Sequence, residues 1–282
     1  MDRGSRRREG VRADVEGLRA LAILGVVLFH TRLGVLPGGF VGVDVFFVLS
    51  GFLITGLLWR DLERTGRIGF AAFYARRVRR LLPAAVLVLV VTVVAATHLL
   101  PPLRAGAVVR DALAAALYVG NYRFALERTD YLASPSAPSP VEHYWSLGVE
   151  EQFYLFWPLL LALVVVHRRR LGAAAPARGV ALAVVGVVAG VSFALSCWLT
   201  SAAEPWAFFS LPSRAWELAP GALVALALPW LTRVPAGPRS SSGGPGWPQS
   251  RSRSSRSAPP SRFPASPPPS RSGARWPSSS RG

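Results

Sequence analysis

The amino-acid sequence predicts an all-α integral membrane protein with about six transmembrane helices, one interfacial or re-entrant helix and a disordered C-terminal tail. Three observations support this fold class. The 282-residue chain is 51% hydrophobic. It contains several apolar runs of roughly the 20 residues that a spanning helix needs. Its formal net charge of +17 comes from arginines that cluster between those runs. The single cysteine, Cys197, excludes an internal disulfide framework.

Six apolar runs have the length of a membrane span. They cover residues 15–33, 40–59, 83–100, 147–166, 179–200 and 212–231. The first is predicted to be a signal anchor rather than a cleaved signal peptide, because the run is long and no A-x-A-like site follows it. The chain is therefore expected to be a multi-pass protein of the plasma membrane.

The distribution of arginine orients these spans. Arginines crowd residues 3–12, 60–80 and 168–178, whereas residues 34–39 and 201–213 contain none. Positively charged loops stay on the cytoplasmic side, so the N-terminus is predicted to be cytoplasmic. Residues 168–170 return to that side only if the weaker run 105–126 does not cross the membrane. We therefore predict that run to be an interfacial or re-entrant helix on the outer side.

The composition changes at about residue 235 to a Ser/Pro/Arg-rich text without acidic residues. This predicts a basic N-terminus at 1–12, a transmembrane domain at 13–232 and a disordered tail at 233–282. Two interpretations of the tail remain open. Its arginines would bind anionic lipid or nucleic acid, or the tail is the product of a shifted reading frame in a GC-rich gene. No specific nucleic-acid partner is expected.

Ionisable residues interrupt the apolar runs. Arg19 and His30 are eleven residues apart, which on a helix is about three turns and 16 Å along one face. Arg19 has a simple structural explanation, since a long side chain near a membrane boundary can extend its charge towards water. The other polar residues in or beside the runs are Asp44, Ser50, His143, Trp145, Ser146, Glu150, Glu151, Gln152, Arg214 and Glu217. Ionisable groups within spans typically face a protein interior and indicate a functional site.

Six motifs in order resemble the membrane acyltransferase family 3 of O-acyltransferases. They are EGLRALAILGVVLFH (16–30), GFVGVDVFFVLSGFLIT (39–55), FYARRVRRLLPA (73–84), NYRFA (121–125), HYWSLGVEEQFYLFWP (143–158) and RAWELAPGALVA (214–225). The resemblance implies a multi-helix enzyme in the lipid bilayer. Such an enzyme moves an acyl group, commonly acetyl, from cytoplasmic acyl-CoA to a hydroxyl of a glycan, lipid-linked sugar or glycosylated natural product.

The resemblance also implies roles for these residues. His30 is the candidate general base, because an imidazole titrates in the range useful for activating a hydroxyl. Arg19 would contact the donor or hold a carboxylate. Glu150 and Glu151 would orient the base or bind other hydroxyls of the acceptor, and Asp44 would fix the tautomer of His30.

Other side chains are expected to bind the donor and the acceptor. A basic cluster in the third motif is suited to bind the phosphates of coenzyme A; its members are Arg76, Arg77, Arg79 and Arg80. The preference of arginine for the cytoplasmic side of a membrane is by itself an alternative explanation of this cluster. The expected substrate-binding residues are Ser50, His143, Trp145, Arg214 and Glu217. Direct transfer is favoured over an acyl-Ser50 intermediate, because no G-x-S-x-G elbow surrounds that serine. The four histidines show no metal-ligand spacing, so no metal is expected.

Three alternatives remain open. Members of the family usually have more spanning helices, so the chain is expected to be C-terminally truncated or frame-shifted and would then be an inactive fragment. A small transporter would use Arg19, His30 and Glu150 as a polar relay. A non-catalytic scaffold would act through the Arg-rich tail.

Overall fold

The computed structural model describes residues 13–31, 37–129, 138–170 and 176–232, and within these ranges every regular element is helical. The helices are α1 (Ala13–His30), α2 (Gly42–Thr65), α3 (Phe70–Leu99), α4 (Pro102–Ala116), α5 (Gly120–Thr129), α6 (Tyr144–Arg170), α7 (Ala177–Ala202), α8 (Glu204–Phe209) and α9 (Leu211–Leu231), with a 3₁₀ turn at Gly39–Val41. The predicted all-α class is confirmed. The predicted N-terminal segment 1–12 and tail 233–282 lie outside the described residues.

Four helical stretches are long and apolar enough to cross a membrane. They are Gly39–Thr65, Phe70–Leu99, Tyr144–Arg170 and Ala177–Ala202. The predicted spans 40–59, 83–100, 147–166 and 179–200 fall almost entirely within them, the second running one residue past its helix. The first and last predicted runs also form helices, α1 and α9, but both are interrupted by charged side chains. Four membrane-capable helices are therefore shown, and six spans remain a prediction.

Two elements differ from their predicted bounds. Helix α3 is 30 residues long and begins at Phe70, because Pro83 is accommodated inside the helix instead of starting it. The predicted single helix at 105–126 is divided into α4 and α5. The division lies at Tyr118, whose φ of 55° is left-handed and incompatible with a continuous α-helix.

Helices α2 and α9 pack with their backbones in contact. An added Cβ at Gly51 would lie 1.9 Å from the carbonyl oxygen of Leu218, and one at Gly221 would lie 1.8 Å from that of Val48. Small residues that allow such close approach are the usual basis of helix packing in membranes. The hydrophobic core beside this contact contains Phe47, Leu58, Val149, Trp157, Leu161, Leu218 and Leu226.

A larger side chain at Gly51 is expected to separate α2 from α9. We expect Gly51→Leu to lower the free energy of unfolding by about 1–3 kcal/mol or more, because the backbone of Leu218 cannot yield as a side chain would. Thermal unfolding of the purified protein in detergent measures the effect. Gly186→Ala is the control, because a Cβ at Gly186 in α7 meets nothing within 4 Å. Equal melting temperatures for the two variants would contradict the close-packing argument.

Candidate functional site

A cavity of about 1210 Å³ lies between α1, α2, α3 and α6, with further wall residues from α7 and α9. Much of its wall is apolar, including Ile23, Phe46, Leu53 and Leu81. The polar and charged lining residues are Glu16, Arg19, Ser50, Arg60, Arg76, Arg77, Arg80, Ser146, Glu150, Tyr154 and Arg178. The cavity therefore combines an apolar interior with charged groups that the sequence placed on separate helices.

Glu150 lies at a buried polar centre in this wall. The hydroxyl of Ser50 in α2 and the hydroxyl of Tyr154 in α6 both donate to Oε1 of Glu150, the latter at 2.5 Å. The three residues are 3–7% exposed. A buried carboxylate is stabilised by such donors, which replace the water lost on burial. The arrangement brings together the predicted residues Ser50 and Glu150 and adds Tyr154.

Arg77 and Glu151 form an ion pair between α3 and α6. Nε of Arg77 lies 2.7 and 2.8 Å from the two carboxylate oxygens of Glu151, and its Nη2 donates to Oε1 as well. The guanidinium carbon is 3.4 Å from the ring centre of Tyr154. The two adjacent glutamates therefore differ in their surroundings: Glu150 accepts from hydroxyls, whereas Glu151 is bound to an arginine.

Three of the four predicted phosphate-binding arginines line the cavity. Arg76 and Arg80 line the cavity, and neither pairs with any acidic side chain of the described ranges. Arg77 also lines the cavity but is engaged by Glu151. Arg79 is not among the lining residues, and its Nε donates to the carbonyl of Ala75 in its own helix at 3.2 Å.

A second charged cluster joins the first turn of α2 to α9. Nη1 of Arg214 donates to Oδ1 of Asp44 at 3.2 Å and to Oε1 of Glu217 at 2.5 Å. The guanidinium carbon lies 5.5 Å from the ring centre of Trp145 and 4.7 Å from that of Phe208. The structure thus brings together four predicted site residues, and it places Asp44 against Arg214 instead of making it the partner of the His30 ring.

His30 ends α1 and is exposed, outside the set of residues that line the cavity. Its Nδ1 lies 2.8 Å from the carbonyl oxygen of Val26. A carbonyl only accepts, so Nδ1 is the donor, and in the neutral ring Nε2 carries the lone pair. The tautomer is therefore set by the backbone of α1.

Arg19 lies on the cavity wall, whereas His30 does not. The guanidinium carbon of Arg19 is 5.0 Å from the ring centre of Phe46 in α2, and Nη1 of Arg19 donates to Oε1 of Glu16 at 3.3 Å. Its buried Nε has no hydrogen-bond partner among the described residues. The structure therefore assigns the two ends of the predicted Arg19–His30 face to different surroundings.

Sequence reasoning missed a polar network that fixes the position of α6. Nε2 of Gln152 donates to the carbonyl of Tyr118 at 2.6 Å and to Oδ1 of Asn121 at 2.8 Å, and Nδ2 of Asn121 donates to the carbonyl of Phe209 at 2.9 Å.

The contact between Tyr154 and Glu150 could have been predicted from the sequence, because the two residues are four positions apart on one helix. In the described ranges no group of three or more His, Cys, Asp or Glu side chains could hold a metal ion.

His143 precedes α6 at the same end as His30. Partial exclusion of water lowers the pKa of its imidazole below the ordinary value of 6.5; a hydrogen bond with the backbone of Pro140 opposes this effect, and the charge of His30 adds to it. The folded protein therefore holds the His143 proton less tightly than the unfolded chain does.

Loss of Arg77 is expected to be costly for stability. Arg77→Ala leaves Glu151 partly buried without its partner, and we expect a loss of about 3–5 kcal/mol, as for other broken buried pairs. Thermal unfolding of the single variants and of the exchanged double variant Arg77→Glu/Glu151→Arg measures it. Partial recovery in the double variant is expected, and a neutral Arg77→Ala would contradict the importance of this pair.

The depressed pKa of His143 predicts a pH dependence of stability. Since the unfolded chain binds the proton more tightly, the contribution of His143 is fully present above about pH 6.5 and is lost as the pH falls through the unfolded and then the folded pKa. The melting temperature from pH 8 to pH 5 is expected to fall less for His143→Gln than for the parent chain. Parallel curves would show that His143 does not titrate differently on folding.

Comparison with known proteins identifies the family of the chain. A family model described as an acyltransferase domain matches residues 12–243. The peptidoglycan O-acetyltransferase OatA of Listeria monocytogenes is 34% identical over 234 residues, which are 80% of this chain and 36% of that protein. The O-acetyltransferase OatA of Staphylococcus aureus strain NCTC 8325 is 43% identical over 154 residues, 55% of this chain and 25% of that protein.

The chain spans about a quarter to a third of the length of these curated relatives. A putative O-acetyltransferase of S. aureus strain COL is also 43% identical, over 161 residues. No solved structure matches the chain. Because the family match covers most of the residues, including every predicted site residue, the chain belongs to this acyltransferase-domain family.

Proposed function

We propose that this chain is the membrane part of an O-acyltransferase that moves an acetyl group from acyl-CoA to a hydroxyl of a cell-wall glycan. Membership of the acyltransferase family and the names of the relatives support the reaction class and the acceptor. The observation that carries the proposal is the cavity, which is lined both by arginines without an acidic partner among the described residues and by the hydrogen-bonded carboxylate of Glu150.

The donor is proposed to enter from the cytoplasmic side. Under the predicted topology of six spans with the N-terminus inside, the arginine-rich connection between α2 and α3 faces the cytoplasm, where acyl-CoA is found. Guanidinium groups bind phosphate oxygens in a bidentate manner, which suits Arg76 and Arg80 to this role. Arg77 instead holds Glu151, and thereby α6, in position.

The acceptor is proposed to approach from the opposite end. His30 would take the proton of the acceptor hydroxyl through Nε2, and the hydrogen bond from Nδ1 to Val26 supports this because in the neutral ring it leaves the lone pair on Nε2. Trp145 and the ion cluster Asp44–Arg214–Glu217 supply an aromatic face and charged groups of the kind that bind a sugar. Glu150 would bind a further hydroxyl inside the cavity.

Acetyl transfer by purified membranes tests the proposal. Membranes with the chain are supplied with labelled acetyl-CoA and cell-wall glycan, and O-acetyl ester is measured for the parent chain and for His30→Ala and Glu150→Gln. Loss of a general base typically reduces the rate by about 10²–10⁴-fold, which is the effect expected for His30→Ala. His98→Ala is the control, since His98 is exposed at the end of α3 like His30 at the end of α1, but lies outside the six motifs and has no role in the proposal.

Three outcomes separate the alternatives. Full activity of His30→Ala with loss in Glu150→Gln would reassign the base to the carboxylate. Movement of a glycan or ion without consumption of acetyl-CoA would favour the transporter. Absence of transfer unless the further helices of a longer relative are appended would identify this chain as an inactive fragment.

A further inference from the structure

Arg60 in α2 shares the cavity with the arginines of α3. Six arginines reach the cavity lining, and three of them have acidic partners: Arg19 with Glu16, Arg77 with Glu151 and Arg178 with Glu63. Arg60, Arg76 and Arg80 are exposed residues that line the cavity and form no ion pair with any described residue. Sequence reasoning counted Arg60 only as a positive charge that orients the topology.

Three exposed arginines without an acidic partner among the described residues, beside an apolar wall, favour one kind of ligand. Like charges that line one cavity repel one another, so an anion with several charges is stabilised there more than a single carboxylate is. The apolar lining beyond them, with Leu53, Leu57 and Leu81, suits a less polar extension of the same molecule. A polyphosphate head joined to a longer, less polar arm has both properties.

We infer that Arg60 completes a phosphate-binding site with Arg76 and Arg80, so that the donor is selected through its phosphates. The inference rests on the proposed function, because it takes an acyl-CoA thioester as the donor. Arg60 and Ser50 are ten residues apart on α2, about 15 Å along the helix, and both line the cavity. A donor bound at Arg60 thus has its acyl end directed along α2 towards the Ser50–Glu150 pair.

Binding and turnover together test this assignment. The full chain is placed in nanodiscs of neutral lipid, and the affinities for coenzyme A and for phosphate-free pantetheine are measured for the parent chain and for Arg60→Ala. The control is Arg64→Ala, one turn later on α2, because Arg64 is exposed like Arg60 but pairs with Asp61 and is outside the cavity lining. We expect Arg60→Ala to weaken coenzyme A binding by about tenfold or more, since charge-assisted hydrogen bonds to phosphate are lost.

The phosphate-free probe identifies the part of the ligand that Arg60 contacts. Pantetheine is expected to bind weakly and equally to the parent chain and to Arg60→Ala, and with acetyl-CoA as donor the change is expected in KM with little change in kcat. Equal coenzyme A affinity for the parent chain, Arg60→Ala and Arg64→Ala would overturn the assignment. An equal loss of affinity for pantetheine would also overturn the assignment, because Arg60 would then act through the fold or through the pantetheine part of coenzyme A and not through the phosphates.

A lipid headgroup is the other source of phosphate, and nanodiscs with phosphatidylglycerol distinguish it. If Arg60→Ala reduces the binding of this anionic lipid while coenzyme A binds unchanged, the arginines belong to the lipid surface and the inference fails. The proposed function fails separately: coenzyme A binding that depends on Arg60, with no acetyl transfer under any condition, would retain the phosphate site and reject the transferase activity of this chain.

Discussion

The contact between α2 and α9 is the constraint on which the rest of the site depends. Gly51 and Gly221 allow the two backbones to meet, and no other residue type fits in the space that their neighbours leave. This contact determines where the remainder of α2 lies. Ser50, the residue before Gly51, then faces α6, and Asp44, two turns earlier, reaches Arg214 on α9. A packing feature of the apolar core thereby places two polar clusters.

Ion pairs between helices are a second constraint on how the helices are placed. Arg77 and Glu151 join α3 to α6, Asp44 and Arg214 join α2 to α9, and Arg178 and Glu63 join α7 to α2. A charge in an apolar surrounding is stable only with a partner, so each pair restricts the helices that carry it. Arg60, Arg76 and Arg80 have no such partner among the described residues and are exposed where they line the cavity, so their charges are available to a ligand.

Much of this arrangement could be predicted because it depends on local pattern. Each of the six apolar runs lies mostly within a helix, and the polar residues within those runs include Ser50, Glu150, Arg214 and Glu217, which take part in the two polar clusters. Pairing across helices could not be predicted, because spacing within one helix gives no information about its neighbours. Asp44 was accordingly assigned to His30, although Arg214 is its partner. Arg76, Arg77, Arg79 and Arg80 looked equivalent in sequence, yet Arg77 pairs with Glu151, Arg79 is outside the cavity lining, and Arg76 and Arg80 line the cavity without an acidic partner among the described residues.

The two oxygens of the Glu150 carboxylate have different surroundings. Both hydroxyls, from Ser50 and Tyr154, donate to Oε1, and no donor from the described residues reaches Oε2. One oxygen thus ties α2 to α6 while the other is left to the cavity. A ligand hydroxyl bound at Oε2 leaves those internal hydrogen bonds intact. The helices need not rearrange to admit it. The internal hydrogen bonds already order this part of the wall before a ligand binds, so binding costs less conformational entropy.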